Sequence, residues 1–227
     1  MQMIKIFIFL SFISANFFCQ GLSEILLYSS PDPNSNYVVL SEGESIDGYT
    51  KQGNQIFGGE IDCNINPLKG VDIQSFQVLP GTKYSRDKNR VYYPIKVICK
   101  DYEDCGVCYY DSVEVKNANP AKFEYLGKGY ATDSNYVFYR GRIISAADNS
   151  TFRLISCPDE MIFATDANNV YNGDVVFEGA DPSTFRYEEV EVQVEGTNHI
   201  LVDKNKKWAF YNNSDIIQIG KENNKIN

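Results

Sequence analysis

Short runs that alternate apolar and polar residues fill most of the chain, with turn-forming residues between them. The runs Tyr130-Ala-Thr132 and Tyr136-Val-Phe-Tyr139 flank the polar Asp133-Ser-Asn135. Asp and Asn hydrogen-bond their own backbone in tight turns, so this pattern predicts two short strands joined as a hairpin. Residues 185–194 continue as a longer alternating strand with one polar face. Since no run of about 12 residues keeps a helical period, the pattern predicts an all-β protein.

Two sequence phrases recur along the chain. The first reads aromatic-x-x-Asp-x-Asn-x-Val-aromatic at residues 84–92, 130–138 and 163–171, with a divergent last copy at 201–211. The second ends in a phenylalanine, and the spacings between its four copies are 47, 29 and 33 residues, with the anchors at Phe76, Phe123, Phe152 and Phe185. Periods of this size indicate stacked supersecondary units. The longest spacing holds an insertion at about residues 94–108.

The phrases predict the architecture of the repeat. Asp148 and Asp181 resemble helix N-caps, which predicts a one-turn helix before Phe152 and before Phe185. We therefore expect tandem short β-hairpins with one-turn helices, stacked as an open curved array. The alternative is a closed propeller-like or barrel-like arrangement, which the uneven spacings disfavour. The predicted organisation is a signal peptide at 1–21, a lead-in segment at 22–54, a repeat domain at 55–219 and a polar tail at 220–227.

The first residues have the features of an export signal. Lys5 precedes the apolar run at residues 6–13, a length typical of a signal peptide and too short for a spanning helix. Cys19 and Gly21 are small residues that favour cleavage before Leu22. In the alternative, Cys19 becomes the acylated first residue of a lipoprotein, but Phe18 stands where such a site needs a small residue. We expect a periplasmic or extracellular protein without a transmembrane segment in the mature chain.

Three cysteines in the insertion are candidates for a structural disulfide. Cys99, Cys105 and Cys108 flank an acidic turn, so Cys99 can face either of the other two, and the sequence does not choose between them. Export makes a disulfide plausible. Strand-like and acidic flanks favour a structural bridge over redox chemistry, and a zinc site would lack a nearby fourth ligand.

Composition and charge exclude several function classes. A net charge of −9 argues against a nucleic-acid partner, because phosphate contacts need clustered Lys and Arg. The single histidine, His199, is predicted to lie in a hairpin loop. With only one histidine, most acid–base catalytic arrangements and histidine-ligated metal sites are excluded. The Asp-x-Asn pairs lack the further ligands of a calcium loop, so we interpret them as turns. We predict no catalytic residue, no cofactor and no metal site.

Two of these phrases resemble a known family. The run Asp87-Lys-Asn-Arg-Val-Tyr-Tyr93 and the run Gly179-Ala-Asp-Pro-Ser-Thr-Phe185 resemble the DKNYY (also DKNYW) family of bacterial repeat proteins, and the resemblance extends over about residues 55–219. It implies an exported or envelope-associated domain of unknown function, with no catalytic residues to transfer.

The leading functional hypothesis is a non-enzymatic module that binds an unknown protein or glycan. Its repeated aromatic and basic side chains, such as Tyr136, Tyr139, Arg140 and Arg142, are a surface type that suits recognition. One alternative is a toxin-neutralising, immunity-like protein whose acidic face meets a basic target. The other alternative is an enzyme with an unrecognised site.

Overall fold

The computed structural model describes residues 37–58, 67–94, 97–99, 108–110, 114–158, 161–194, 197–212 and 215–219. These residues form strands and turns and include no helix, which confirms the all-β prediction. The predicted signal peptide with Cys19, the polar tail at 220–227 and Cys105 lie outside the described residues. Within the ranges above, no helix is long and apolar enough to cross a membrane.

The strands of the described residues form six small antiparallel sheets, and each sheet consists of strands that follow one another in sequence. The lead sheet contains β1 (Ser45–Ile46), β2 (Tyr49–Gln52) and β3 (Gln55–Gly58). Unit 1 contains β4 (Gln77–Val78), β5 (Ser85–Arg86) and β6 (Val91–Tyr92), and the insertion hairpin contains β7 (Val97–Cys99) and β8 (Cys108–Tyr110). Unit 2 contains β9 (Glu124–Gly127), β10 (Tyr130–Thr132), β11 (Val137–Tyr139) and β12 (Arg142–Ile143).

The last two units repeat the four-stranded arrangement of unit 2. Unit 3 contains β13 (Arg153–Leu154), β14 (Phe163–Thr165), β15 (Val170–Asn172) and β16 (Val175–Val176). Unit 4 contains β17 (Arg186–Val194), β18 (Thr197–Val202), β19 (Lys207–Asn212) and β20 (Asp215–Ile219). None of the described sheets closes into a barrel.

The hydrophobic core lies between successive sheets. Neighbouring residues of one strand point to opposite faces, so a central strand contributes to two clusters. Phe138 packs with Val91 of unit 1, whereas the adjacent Val137 packs in a cluster with Tyr171 of unit 3. The same arrangement joins the lead sheet to unit 1 and unit 3 to unit 4. Both faces of units 1 to 3 are therefore buried, and the largest fully buried side chains among the described residues are mostly Tyr and Phe.

The one-turn helices predicted before the anchor phenylalanines are not supported. The segments at 72–75, 119–122, 148–151 and 181–184 are turns, which we call the entry turns. Each is closed by one or two backbone hydrogen bonds, such as the bond from the Thr151 N–H to the Asp148 carbonyl. The next strand begins directly after the anchor phenylalanine, so the turn does not continue into a helix.

The lead sheet is a further copy of the hairpin. Tyr49 occupies the place of Tyr84 and Tyr130, and Ile56 occupies the place of Val91. Gln52 stands where the other copies have their aspartate, which hides this copy in the sequence. The repeated structure therefore reaches N-terminal to residue 55, as far as β2.

Candidate functional site

Each unit turns its central hairpin around a buried aspartate. These residues are only 2–8% exposed, and they are Asp87, Asp133, Asp166 and Asp203. One carboxylate oxygen accepts the backbone N–H groups two and three residues further on. In unit 1, Asp87 Oδ1 lies 2.7 Å from Asn89 N and 2.8 Å from Arg90 N. We call the four-residue turns at 87–90, 133–136, 166–169 and 203–206 the tips.

The second carboxylate oxygen joins the tip to the entry turn of the same unit. Asp87 Oδ2 accepts the N–H of Asp72 at 2.8 Å, and Asp203 Oδ2 accepts the N–H of Asp181 at 2.7 Å. The other two units make the same contact at 2.9 and 2.8 Å, from Asn119 to Asp133 and from Asp148 to Asp166. Each aspartate therefore fixes two chain segments that are 14 to 22 residues apart in sequence.

Two of the buried carboxylates also accept a tyrosine hydroxyl. The hydroxyls of Tyr92 and Tyr171 lie 2.6 Å from the Oδ2 atoms of Asp87 and Asp166. Burial and the neighbouring carboxylate raise the pKa of both tyrosines well above the usual range. Burial by itself would raise the pKa of Asp166, but the bonds from Tyr171 and three backbone N–H groups outweigh it and lower that pKa.

The aspartates are therefore occupied as backbone acceptors, which confirms the interpretation of the Asp-x-Asn pairs as turns. A calcium ion would need six to eight oxygens directed at one point. Here the oxygens point at N–H and O–H donors instead. Among the described residues, no group of three or more His, Cys, Asp or Glu is placed to hold a metal ion.

A second repeated side chain, a buried tyrosine, joins the lead sheet, unit 1 and unit 2 to the sheet that follows each of them. The hydroxyl of Tyr49 lies 3.1 Å from the carbonyl oxygen of Lys83, and that of Tyr84 lies 3.2 Å from the carbonyl oxygen of Gly129. The hydroxyl of Tyr130 lies 2.7 Å from the carbonyl oxygen of Ile162. The acceptor residue in every case directly precedes the corresponding aromatic residue of the next sheet. The hydroxyl groups of these tyrosines therefore form hydrogen bonds between successive sheets of the stack.

The junction between units 3 and 4 has no such hydroxyl, because phenylalanine replaces tyrosine there. Phe163 is fully buried and lies against Phe177, Phe185 and Phe210, with ring centroids 5.5 to 6.2 Å apart. This junction depends on apolar contact alone at the position where the others add a hydrogen bond.

Lys128 is a structural residue that the sequence analysis missed. Its ammonium group donates to the carbonyl oxygens of Cys157, Pro158 and Met161 at 2.8, 2.8 and 2.9 Å. The Lys128 backbone has a positive φ of 53° in the turn between β9 and β10. The neighbouring glycines at 127 and 129 signal a tight turn, but nothing in the sequence signals the acceptors in unit 3.

Tips and entry turns alternate along one side of the stack, which we call the tip edge. Arg86, just before tip 1, donates to the carbonyl oxygen of Pro120 in the next entry turn at 3.1 Å. Thr132 bonds Asn149 in the third entry turn, and Thr165 lies 3.4 Å from the carbonyl oxygen of Pro182 in the fourth. The second, third and fourth entry turns therefore each lie between two tips, and all four tips line the same edge.

The tip edge exposes one asparagine from every unit. Asn89, Asn135, Asn168 and Asn205 are exposed. Their backbone N–H groups bond the buried aspartates, but their side-chain amides make no hydrogen bond within the described part of the chain. The lead sheet has an exposed asparagine, Asn54, at its corresponding turn.

The side chains named in the interaction hypothesis form a less regular surface. Tyr136 is 39% exposed at tip 2, whereas Tyr139 is only 7% exposed and belongs to the core. Arg140 and Arg142 are exposed on the opposite edge, and Arg142 lies 3.9 Å from Asp174. The idea that the units display Tyr139 is therefore wrong, because the outward-facing position of that strand is covered by the next sheet.

His199 also differs from its prediction. It lies within strand β18 and not in a loop, and its Nδ1 is 2.8 Å from the Tyr187 hydroxyl. Strand β18 begins at Thr197, and Glu189 of β17 pairs with His199, so the strand reaches into the predicted loop.

The candidate disulfide is described only by its backbone. Strands β7 and β8 pair so that Cys99 faces Cys108. Their side chains and the whole of Cys105 lie outside what the structure describes, so the disulfide stays a prediction.

Stacked antiparallel sheets with a buried aspartate in the central hairpin of units 1 to 4 define a tandem-repeat β protein. The model of the DKNYY family matches residues 8–96 and 97–175, and the chain belongs to this family, whose function is unknown. Unit 4 lies C-terminal to these matches but repeats the same tip contacts. No curated protein and no solved structure matches the chain.

Proposed function

We propose that this chain is an exported, non-enzymatic interaction module that acts in the bacterial envelope or outside the cell. One observation carries the proposal: the repeated polar side chains that could take part in chemistry instead form hydrogen bonds that hold the fold together. The repeated aspartates bind backbone N–H groups, and the repeated tyrosines bind carbonyl groups of the next sheet.

A stack of this kind supports recognition better than it supports catalysis. Repeats place the same exposed position at regular intervals along one edge, which suits an extended partner. A catalytic site would require a nucleophile, a base and their orienting groups to converge. Here the repeated aspartates and tyrosines form hydrogen bonds with backbone groups of the protein itself.

A pull-down from envelope extract tests this proposal. The bait is the mature chain, and the control is the same chain after thermal denaturation, since recognition by a stacked edge requires the fold. We expect specific capture of one polymer or protein by the folded bait only. Capture of nothing specific, or equal capture by both baits, would contradict the proposal. So would a catalytic activity that disappears when an individual side chain is changed.

A second candidate is an immunity-like protein that neutralises a basic toxin. The net charge of −9 favours it, because an acidic protein attracts a basic target over long range. In that case association slows steeply between about 0.05 and 0.2 M salt, since the Debye length shrinks with ionic strength. Binding that is indifferent to salt would count against this candidate and leave the first unaffected.

A further inference from the structure

Asparagine recurs at the tips without a structural reason in its own turn. Neither the four tip asparagines nor Asn54 of the lead sheet has a positive φ, so the left-handed conformation that favours Asn is not required. The carboxylate of the buried aspartate, and not the Asn amide, satisfies the backbone of the turn. In the lead sheet Gln52 replaces the aspartate, but Asn54 is retained.

The positions on either side of the asparagine are variable. The preceding residues are Lys88, Ser134, Ala167 and Lys204, and the following residues are Arg90, Tyr136, Asn169 and Lys206. A turn that accepts such different neighbours does not by itself require one residue type at its centre. The recurrence of an exposed amide therefore points to contact with something outside the chain.

From this row we infer that the tip edge binds a linear, uncharged polysaccharide through the exposed amides of Asn89, Asn135, Asn168 and Asn205. The inference rests on the proposed function, since it names the partner of that interaction module. An amide offers a donor and an acceptor side by side, which matches two neighbouring hydroxyls of a sugar. Sheets packed face to face lie about 10 Å apart, so successive tips meet a ligand that repeats along its length.

Charge at this edge favours a neutral ligand over a polyanion. Lys88 lies 2.6 Å from Asp72 and Lys204 lies 2.7 Å from Asp181, so these two lysines are paired with carboxylates. The ammonium group of Lys206 at tip 4 donates to the carbonyl oxygen of Gly179. The whole chain carries −9, which repels an anionic polymer. At tip 2, the partly exposed ring of Tyr136 adds a flat apolar face beside Asn135 on which a sugar ring can pack.

The shape of the edge favours a polysaccharide over an extended peptide. A peptide that adds to a sheet needs the unpaired N–H and C=O groups of an edge strand. The tip edge presents closed turns whose backbone is already bonded, for example between Asp133 N and the Tyr136 carbonyl oxygen. Side-chain amides are therefore what this edge offers to a ligand.

Affinity electrophoresis tests the inference directly. The mature protein is run through native gels that contain hydroxyethylcellulose, galactomannan or dextran, with heparin and denatured casein as anionic and polypeptide probes. We expect retardation by at least one neutral polysaccharide and by neither of the other probes. Each tip should contribute about a fivefold change in affinity, which is the effect of one hydrogen bond to a neutral group.

The decisive variant replaces all four amides, as N89S/N135S/N168S/N205S. Serine tolerates the negative φ of these positions, so thermal unfolding should match that of the wild type. The matched control carries four exposed substitutions away from the tips, at Arg142, Asp174, Glu189 and Gln193, each to Ser. We expect the tip variant to lose retardation and the control to keep it. If the quadruple variant does not fold, N135S/N168S should show a smaller loss of retardation.

The contrary results separate the two proposals. No retardation of the folded wild type by a neutral polysaccharide, or equal retardation of wild type and tip variant, overturns the inference. Where the pull-down still yields a specific partner, and the tip variant captures it equally well, the interaction module stands without this edge. Failure of both the gels and the pull-down removes the interaction module as well.

Discussion

The buried aspartate of each tip is the residue on which a unit depends. A carboxylate buried without partners would be costly, but each of these accepts three or four hydrogen bonds. Four bonds reach Asp166, from Asp148 N, Asn168 N, Asn169 N and the Tyr171 hydroxyl. Because two chain segments meet at this one group, it closes the unit as a disulfide or a metal ion closes other small folds.

Replacing this carboxylate should therefore destabilise the protein strongly. In Asp166→Asn, an NH₂ group replaces an acceptor that faces the N–H of Asp148, so a buried donor is left unpaired. We expect a loss of about 3 kcal/mol in the free energy of unfolding at pH 7, measured by denaturant titration. The exposed Asp174→Asn is the matched control and should change stability by less than about 0.5 kcal/mol. Equal effects at the two sites would contradict this account of Asp166.

The same carboxylate should make stability sensitive to acid. The pKa of Asp166 is lowered in the folded protein, so the unfolded state takes up a proton first as pH falls. Its contribution is fully present above the unfolded pKa of about 4 and is lost as pH falls through the folded pKa. Between pH 5 and pH 3, the free energy of unfolding of the wild type should fall more than that of Asp166→Asn. If the free energies of unfolding of the two proteins fell equally between pH 5 and pH 3, proton uptake by Asp166 would not be linked to unfolding.

Lys128 is the second residue for which a large effect is expected. Three carbonyl oxygens of unit 3 surround its ammonium group, and Lys128→Met keeps the aliphatic chain but removes all three donors. We expect a loss of about 2 kcal/mol in the free energy of unfolding, because partly buried carbonyls are left without partners. The control is Lys122→Met, at an exposed residue of the second entry turn. An unchanged midpoint for Lys128→Met would indicate that water replaces the ammonium group without cost.

At the scale of the element, the sequence predicted the hairpins well because their determinants are local. Alternation, Asp-x-Asn and the flanking aromatics lie within about ten residues of one another, as they do from Tyr130 to Tyr139. The lead-sheet strands before residue 55 lie outside the predicted repeat domain, because Gln52 replaces the repeated aspartate. The sequence predicts one-turn helices at the entry turns because a helix and a turn begin with the same capping residues, and only the early start of the next strand distinguishes the two.

The long-range contacts were not predictable from one sequence. The acceptors of Lys128 lie 29 to 33 residues away, and the aspartate of unit 4 bonds a residue 22 positions earlier. Likewise, the burial of Tyr139 depends on the next sheet and not on its own strand. For the candidate site, the sequence shows the recurring asparagines, but only the structure shows that their amides are exposed along a single edge.

The insertion hairpin should contain a disulfide between Cys99 and Cys108. The two residues face each other across β7 and β8, and directly opposed positions have Cα separations that suit a disulfide. After oxidative refolding, a non-reduced peptide map should join the peptides that contain these two residues. Cys105→Ser should leave that link intact, whereas Cys108→Ser should remove it. A map that joins Cys99 to Cys105 would show that the hairpin adopts another register in the oxidised protein.

At the scale of the whole molecule, stability should follow nearest-neighbour rules. Each described cluster joins two successive sheets, and none joins the lead sheet to unit 4. In such a stack the free energy of unfolding approximates a sum of unit and junction terms. Damage to one junction should then loosen the sheets beside it more than the sheets further along the stack.

Substitution of Phe163 gives the clearest test of this nearest-neighbour prediction. It is fully buried between units 3 and 4, where the corresponding residues of earlier junctions add a tyrosine hydroxyl. Phe163→Ala should cost about 3 to 5 kcal/mol. Hydrogen exchange followed by mass spectrometry should show faster exchange in residues 186–219, with little change in residues 77–92.

The mirror experiment uses the junction between units 1 and 2. Tyr84→Ala should accelerate exchange in residues 77–92 and 124–143 and leave residues 186–219 protected, because Tyr84 packs with Phe123 and bonds Gly129. Two opposite protection patterns would establish that junctions fail independently. Uniform acceleration in both variants would instead mean that the stack unfolds as one cooperative body. In that case an edge ligand that binds several tips would stabilise every sheet equally, and not only the units it touches.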